Sequence, residues 1–173
     1  MSEIKVIDDF LNEEDFEGLK QCFHPEFPWV FSVVLDGDDL MCDEKYNYQY
    51  CHNVYYKQEP KSVFFNNAIP FLAKLGARAL VRCKINSICR EEEIVMHGFH
   101  TDMEYPEDHP TALDGMKTAI LYLNTNNGFT CFEDGTKVES VANRCVIFPA
   151  HCKHSGTTCT DVLRRLALNL VYF

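Results

Sequence analysis

"GFTCFEDGTKVESV", residues 128–141, reads as two short strands closed around Asp134-Gly135. Asp-Gly is a favoured two-residue hairpin turn, because glycine takes up a left-handed backbone without steric cost. The hairpin governs how its neighbours are read. "MKTAILYLN" (116–124) before it is an apolar strand, and "NNG" after that strand is a turn signal. "RCVIFP" (144–149) and "RLALNLVYF" (165–173) continue the series, which "ALVRCKINSI" (79–88) opens. Short strands separated by turn chemistry predict a mainly β core, either a barrel or a double-sheet jelly roll.

The first 78 residues read as helical support packed outside that core. Asn12 is placed to cap a helix with Asp15 three residues on, and Leu11 with Phe16 suits a hydrophobic staple. Phe16, Leu19 and Phe23 then share one helical face. A second helix is expected within "SVFFNNAIPFLAKLG" (62–76), with Pro70 either starting its regular part or kinking it and Gly76 ending it. "FPWVF" (27–31) and "YNYQYCHNVYY" (46–56) suit strands or a loop over a site. No repeat, low-complexity tract or linker interrupts the chain, so one domain over 1–173 is expected, with 1–78 as support and 79–173 as core.

Composition narrows the function classes. With 46% apolar residues over 173 positions the chain can bury a real core. A formal charge of −10 disfavours non-specific nucleic-acid binding. No apolar run approaches the roughly 20 residues of a membrane span. "MSEIKVIDDF" carries no apolar signal-peptide core, and nine cysteines at irregular spacings, with no CxxC pair, suit reduced thiols in a cytoplasmic protein, mostly buried.

"HGFHTD" (97–102) puts two histidines and an aspartate within six positions. If "FHTD" is a strand, His100 and Asp102 share a face and His97 points away from them. A helix through Gly98 would pair His97 with His100 or Thr101 instead, but the HExxH zinc pattern is absent. A third ligand must come from elsewhere. Among His24, His52, His109, His151 and His154, the last is best placed, because it follows the strand "CVIFP" and opens "HSGTT". Two histidines and a carboxylate form the facial triad of non-haem iron(II) sites, although zinc accepts the same donors. Cys152, in "HCKH", carries no mark of an activated nucleophile.

"RRLALNLVYF" (164–173) opens an apolar strand with arginine. An inward-facing arginine needs an anionic partner, and its fork suits a carboxylate. No acidic residue on that strand serves, whereas one end of a small dicarboxylate would, and Tyr122 in "ILYLN" is placed to add a phenolic hydrogen bond.

The stretch from about 84 to 173 resembles the catalytic domain of the Fe(II)/2-oxoglutarate-dependent oxygenases, in particular the prolyl-4-hydroxylase-like branch and its small microbial and phage-type members. "FHTDM" looks like the HxD motif, "AILYLN" like the strand with the cosubstrate tyrosine, "VIFPAHCKHSG" like the strand and turn ending in the distal iron histidine, and "RRLALNLVYF" like the strand with the cosubstrate arginine. The resemblance implies a double-stranded β-helix (jelly-roll) core. It implies His100, Asp102 and His154 as iron ligands and catalytic centre, Tyr122 and Arg165 at the distal carboxylate of 2-oxoglutarate, and Asn169 on the face of Arg165. Spacing back from "LVYF" favours Arg165 over Arg164. Three positions depart from the family pattern: Arg90 stands where many members have tyrosine, "NNGFT" replaces a Gly-Gly-Glu hairpin, and Leu166-Ala167 replaces x-Ser.

The activity so implied is hydroxylation with Fe(II), 2-oxoglutarate and O2, releasing succinate and CO2. A prolyl residue in a peptide or protein is the expected substrate, and a small molecule is the other class. The acidic, proline-containing loop "MEYPEDHPTALDG" (103–115) follows Asp102 and is a candidate border of the site. Two further readings are a cupin-like metalloprotein without 2-oxoglutarate and a non-catalytic interaction module.

Overall fold

The computed structural model describes residues 4–35, 39–103 and 114–173. In chain order the strands are β1 (Lys5–Ile7), β2 (Val30–Ser32), β3 (Gln49–Tyr56), β4 (Glu59–Pro60), β5 (Leu80–Cys89), β6 (Lys117–Tyr122), β7 (Phe129–Phe132), β8 (Lys137–Glu139), β9 (Cys145–Pro149), β10 (His154–Gly156) and β11 (Arg164–Tyr172). Two helices, α1 (Glu13–Leu19) and α2 (Phe65–Leu75), belong to the first half of the chain. No helix among the described residues is long and apolar enough to cross a membrane.

An eight-stranded antiparallel sheet runs β1-β9-β6-β11-β5-β3-β2, with β4 paired to β3, and a three-stranded sheet runs β10-β7-β8. The sheets face each other across a small core in which Ile120, Tyr122, Val146, Phe148 and Ala167 meet Phe132 and Val138. The helices cover the opposite face of the large sheet. There Leu166, Leu168 and Leu170 of β11 pack with Leu121, Ile85, Phe16, Leu19 and Phe71. Each fully buried leucine of this layer contributes about 1.5–3 kcal/mol. Burial on both faces explains why β11 reads as a nearly unbroken apolar run.

Alternation along the strands sorts the side chains. On β11, Leu166, Leu168 and Leu170 face the helices, while Arg165, Ala167 and Asn169 face the small sheet. On β5, Cys83 and Ile85 face the helices, while Lys84, Asn86 and Ile88 face inward. Register places Arg165 opposite Ile88, Ala167 opposite Asn86 and Asn169 opposite Lys84.

The Asp134-Gly135 turn joins β7 to β8 with Gly135 at φ 87°, as its sequence predicts. Asn12 caps α1, its Oδ1 accepting from the Asp15 amide at 2.9 Å. α2 carries Pro70 inside it and ends at Gly76 in the left-handed conformation. Three sequence expectations need correction. Phe23 does not join Phe16 and Leu19 on a buried face. The chain tightens into a 3-10 turn over Lys20–Phe23, which advances the rotation and buries Cys22 instead. The first 78 residues are not only helices and loops, since the aromatic stretch 46–56 supplies all of β3, "FPWVF" leads into β2, and both strands extend the large sheet. "FHTD" is not a strand: His100 makes an isolated antiparallel bridge to His154, and the chain bends at Asp102. All nine cysteines are free thiols, and six are buried.

Candidate active site

The isolated bridge brings two distant histidines together. The His100 amide donates to the His154 carbonyl at 3.0 Å, and the His154 amide returns the bond at 2.9 Å. The two imidazole centroids lie 4.6 Å apart. Asp102 joins them, and one ligand atom from each of His100, Asp102 and His154 falls within 4.8 Å of the other two. His154 Nδ1 lies 3.0 Å from the Cys152 carbonyl. A carbonyl only accepts, so Nδ1 carries a proton and Nε2 turns toward Asp102, 3.7 Å from Oδ2. Cys152 therefore serves the cluster through its backbone. His97 stands apart: it is fully buried, with Nδ1 3.2 Å from the Gly156 carbonyl. His151 is exposed and outside the cluster, His52 lies between the Pro28 carbonyl and the Ser62 hydroxyl, and His109 lies outside the described residues.

The charges of the cluster suit a divalent cation. Burial opposes ionisation of Asp102, but the positive field of His154, Arg82 and Lys84 and the Thr118 hydroxyl together hold its carboxyl far below the usual range. Arg82 Nη2 donates to Asp102 Oδ1 at 2.5 Å, and the Thr118 hydroxyl donates to Oδ2 at 2.8 Å. Burial, reinforced by the neighbouring His154, lowers the pKa of His100 to about 4, so its imidazole is neutral at pH 7. A carboxylate, the neutral imidazole of His100 and the Nε2 edge of His154 converge on one point, a donor set that fits Fe(II) or a similar borderline cation.

The cluster opens into a cavity of about 590 Å³, its mouth included, between the two sheets. Arg165 lies at the far end, with only 4% of its surface exposed. Its Nε donates to Ser140 Oγ at 2.7 Å and its Nη2 to Thr130 Oγ1 at 3.0 Å. Both partners are neutral, and among the described residues no carboxylate pairs with this guanidinium. Gly128 makes room for it: a Cβ there would stand 2.9 Å from Arg165 Cδ and 2.6 Å from the Thr158 carbonyl. Arg164, next in the chain, instead turns outward over the Trp29 ring, its guanidinium carbon 5.4 Å from the ring centroid.

Asn169 shares the inward face of β11 with Arg165, as its sequence position implies, and the Tyr122 ring lies under the Arg165 guanidinium, its centroid 5.3 Å from the guanidinium carbon. Tyr122 is fully buried and its hydroxyl donates to Thr130 Oγ1 at 2.8 Å, so Thr130, not Tyr122, reaches the cavity beside Arg165. Asn169 lines the cavity at the other end, its Nδ2 3.4 Å from Asp102 Oδ2. Thr130, Lys84, Arg82 and Thr118 escaped the sequence reading. The polar-apolar alternation of "RCKINSI" (82–88), inside a strand buried on both faces, is the signal that marks Arg82, Lys84 and Asn86. Arg90 is exposed. Of the loop 103–115, residues 104–113 lie outside the described residues.

Neither the family models nor the curated proteins contain a match to this chain. Solved structures do match. A prolyl hydroxylase from Trichoplax adhaerens, in complex with a hypoxia-inducible-factor peptide fragment, aligns over 98% of this chain and 83% of its own at TM-score 0.64 and 13% identity. The viral collagen prolyl hydroxylase of Paramecium bursaria Chlorella virus-1, in its 2-oxoglutarate complex, aligns over 97% and 94% at TM-score 0.57 and 13% identity. HygX from Streptomyces hygroscopicus, with nickel and 2-oxoglutarate bound, aligns over 99% and 82% at TM-score 0.62 and 12% identity. The chain has the jelly-roll fold that these 2-oxoglutarate oxygenases share.

Proposed function

We propose that this chain is an Fe(II)- and 2-oxoglutarate-dependent oxygenase that hydroxylates a prolyl residue in a peptide or protein. One observation carries the reading: a His-Asp-His cluster and a buried arginine with no carboxylate partner among the described residues face the same cavity from opposite ends. His100, Asp102 and His154 hold the metal. Arg165 binds the distal carboxylate of the cosubstrate, with Thr130 beside it and Tyr122 orienting the Thr130 hydroxyl. Asn169 and Arg82 fix the Asp102 carboxylate so that Oδ2 stays turned toward His154. When bound, iron and 2-oxoglutarate supply the oxidising chemistry, in which O2 delivers an oxygen atom to a C–H bond and the cosubstrate leaves as succinate and CO2. The protein supplies position, an apolar wall from Ile88, Ile120 and Ala167, and charge.

Two observations favour a peptide substrate. Edge strand β2 exposes Val30 and Phe31, at 65% and 63%, and Tyr50 packs edge-on against Phe31, a surface that suits a peptide added in extended form. The Trichoplax enzyme, similar over nearly the whole of this chain, is seen with a peptide. The test is anaerobic titration of Fe(II) and 2-oxoglutarate, followed by succinate release against a panel of prolyl peptides and small molecules. The expected result is tight, metal-dependent binding of 2-oxoglutarate and succinate release stimulated by prolyl peptides. Absence of 2-oxoglutarate binding sinks the oxygenase, and stimulation by small molecules alone sinks the prolyl substrate.

A further inference from the structure

Lys84 sits inside the cavity without an anion. It lies on the inward face of β5, opposite Asn169 of β11 and Asn53 of β3, and lines the same space as His100, Asp102 and His154. Asp102 is the one carboxylate lining that space among the described residues, and it is already taken by Arg82. The Lys84 ammonium has neither an ion pair nor a hydrogen bond among the described residues. A half-buried ammonium lining such a cavity is costly unless something anionic meets it. Burial and the adjacent Arg82 charge both disfavour its protonated form, whereas Asp102 supports it.

Arg165 is the second cation without a carboxylate. Register separates the two, Arg165 pairing with Ile88 and Asn169 with Lys84, four positions along β11. Four residues of strand span about 13 Å between Cα levels, and both side chains reach inward to shorten that gap. The cavity thus carries one unneutralised cation at each end, with the His-Asp-His cluster at the Lys84 end. This distribution suits a ligand with an acid at each terminus.

We propose that Lys84 is a positioning residue that receives the metal-end carboxylate of the bound 2-oxo diacid, while Arg165 receives the far one. The inference rests on the functional reading above and extends it to a residue outside the motifs that carry the family resemblance. Lys84 orients the carboxylate next to the keto group, and Asn169 and Arg82 keep Asp102 from competing for the ammonium.

The test is calorimetry with protein loaded with Mn(II) under argon. The probes are 2-oxoglutarate and 2-oxopentanoate, which keeps the keto acid and lacks the far carboxylate. Thermal melting and metal content are recorded for every variant. Wild-type protein is expected to prefer the diacid, and Lys84→Met to weaken both probes by the same factor, roughly 10-fold for one charged hydrogen bond lost. The diacid preference stays intact in Lys84→Met and disappears in Arg165→Met. Lys84→Arg restores most of the affinity, which a merely structural role would not predict. Unchanged affinities in Lys84→Met overturn the proposal while leaving the oxygenase reading in place. Loss of diacid preference in Lys84→Met also overturns it, because Lys84 would then hold the far end. Failure of wild-type protein to bind 2-oxoglutarate at all overturns the functional reading itself.

Discussion

His100 and His154, 54 positions apart in the chain, exchange a reciprocal pair of backbone hydrogen bonds that fixes their imidazoles 4.6 Å apart. The geometry between the two imidazoles is therefore set by peptide groups. His100→Ala and His154→Ala are expected to lose metal affinity by at least about 10-fold each, as loss of a direct ligand must exceed the effect of an outer partner. Their melting temperatures should stay close to wild type in the metal-free state. His151→Ala leaves metal binding unchanged. Titration of Mn(II) into the three variants checks this.

His97→Ala separates burial from ligation. The side chain is fully enclosed and bonds the Gly156 carbonyl. Its removal is expected to cost about 1–3 kcal/mol of stability, through a cavity and an unpaired carbonyl, with metal stoichiometry retained. Chemical denaturation and metal analysis on the same sample decide it. Loss of metal without loss of stability would make His97 a ligand.

Arg165→Met tests whether the guanidinium serves binding or stability. It is a buried cation met by the hydroxyls of Ser140 and Thr130 and by the Tyr122 ring, with no carboxylate partner among the described residues. Replacing such a charge with an apolar side chain of similar reach is often neutral or stabilising. Metal-loaded protein should lose 2-oxoglutarate affinity by roughly 100-fold, about the worth of a bidentate charge-assisted pair, while the ligand-free protein melts no lower than wild type. A fall in the melting temperature of ligand-free protein would assign Arg165 to the fold.

Gly128→Ala tests how tightly Arg165 is seated. The new methyl group would stand within van der Waals distance of both the Thr158 carbonyl and the Arg165 stem. A destabilisation of about 1–3 kcal/mol is expected from overpacking, together with weaker 2-oxoglutarate binding as the guanidinium shifts. Wild-type affinity in this variant would show that the arginine finds its anion from a displaced position.

Acid should destabilise the metal-free protein earlier than exposed carboxylates alone would. His100 has its pKa lowered from 6.5 to about 4 by burial. Between those values the unfolded chain binds a proton that the folded chain refuses, so stability falls as pH drops through that window. Asp102, held ionised in the folded state, adds a loss in the same direction at lower pH. Urea midpoints from pH 7 to 4 should decline for wild type and decline less for His100→Phe, which has no proton to gain.

The β core was legible because β5, β6, β9 and β11 are each closed by turn residues and the Asp134-Gly135 hairpin lies among them. The cluster was legible for a different reason. His100 and Asp102 are near neighbours, and His154 follows directly from β9, so few other arrangements were open. The strand argument for "FHTD" reached the pair that the structure brings together through a conformation the chain does not adopt, since one bridge at His100 and a bend at Asp102 do the work assigned to an extended segment. Thr130 was missed because a single hydroxyl in a short strand carries no pattern. Whether it contacts a guanidinium depends on sheet-to-sheet packing, which local sequence does not encode. Phe23 was misplaced because a 3-10 turn and an α-helix are indistinguishable over four residues.

Strand β11 is the last in chain order, yet it lies between β5 and β6 near the middle of the large sheet. A nascent polypeptide emerging from the ribosome can pair β9 with β6, and β3 with β5, but it cannot join those halves until β11 arrives. In the interval β5 and β6 each present an open strand edge above an apolar layer, the condition in which chains associate wrongly with one another. Since Arg165 and Asn169 arrive on that same strand, topological closure and completion of the cavity are one event, and a chain arrested before it would have His100, Asp102 and His154 but no buried guanidinium to face them.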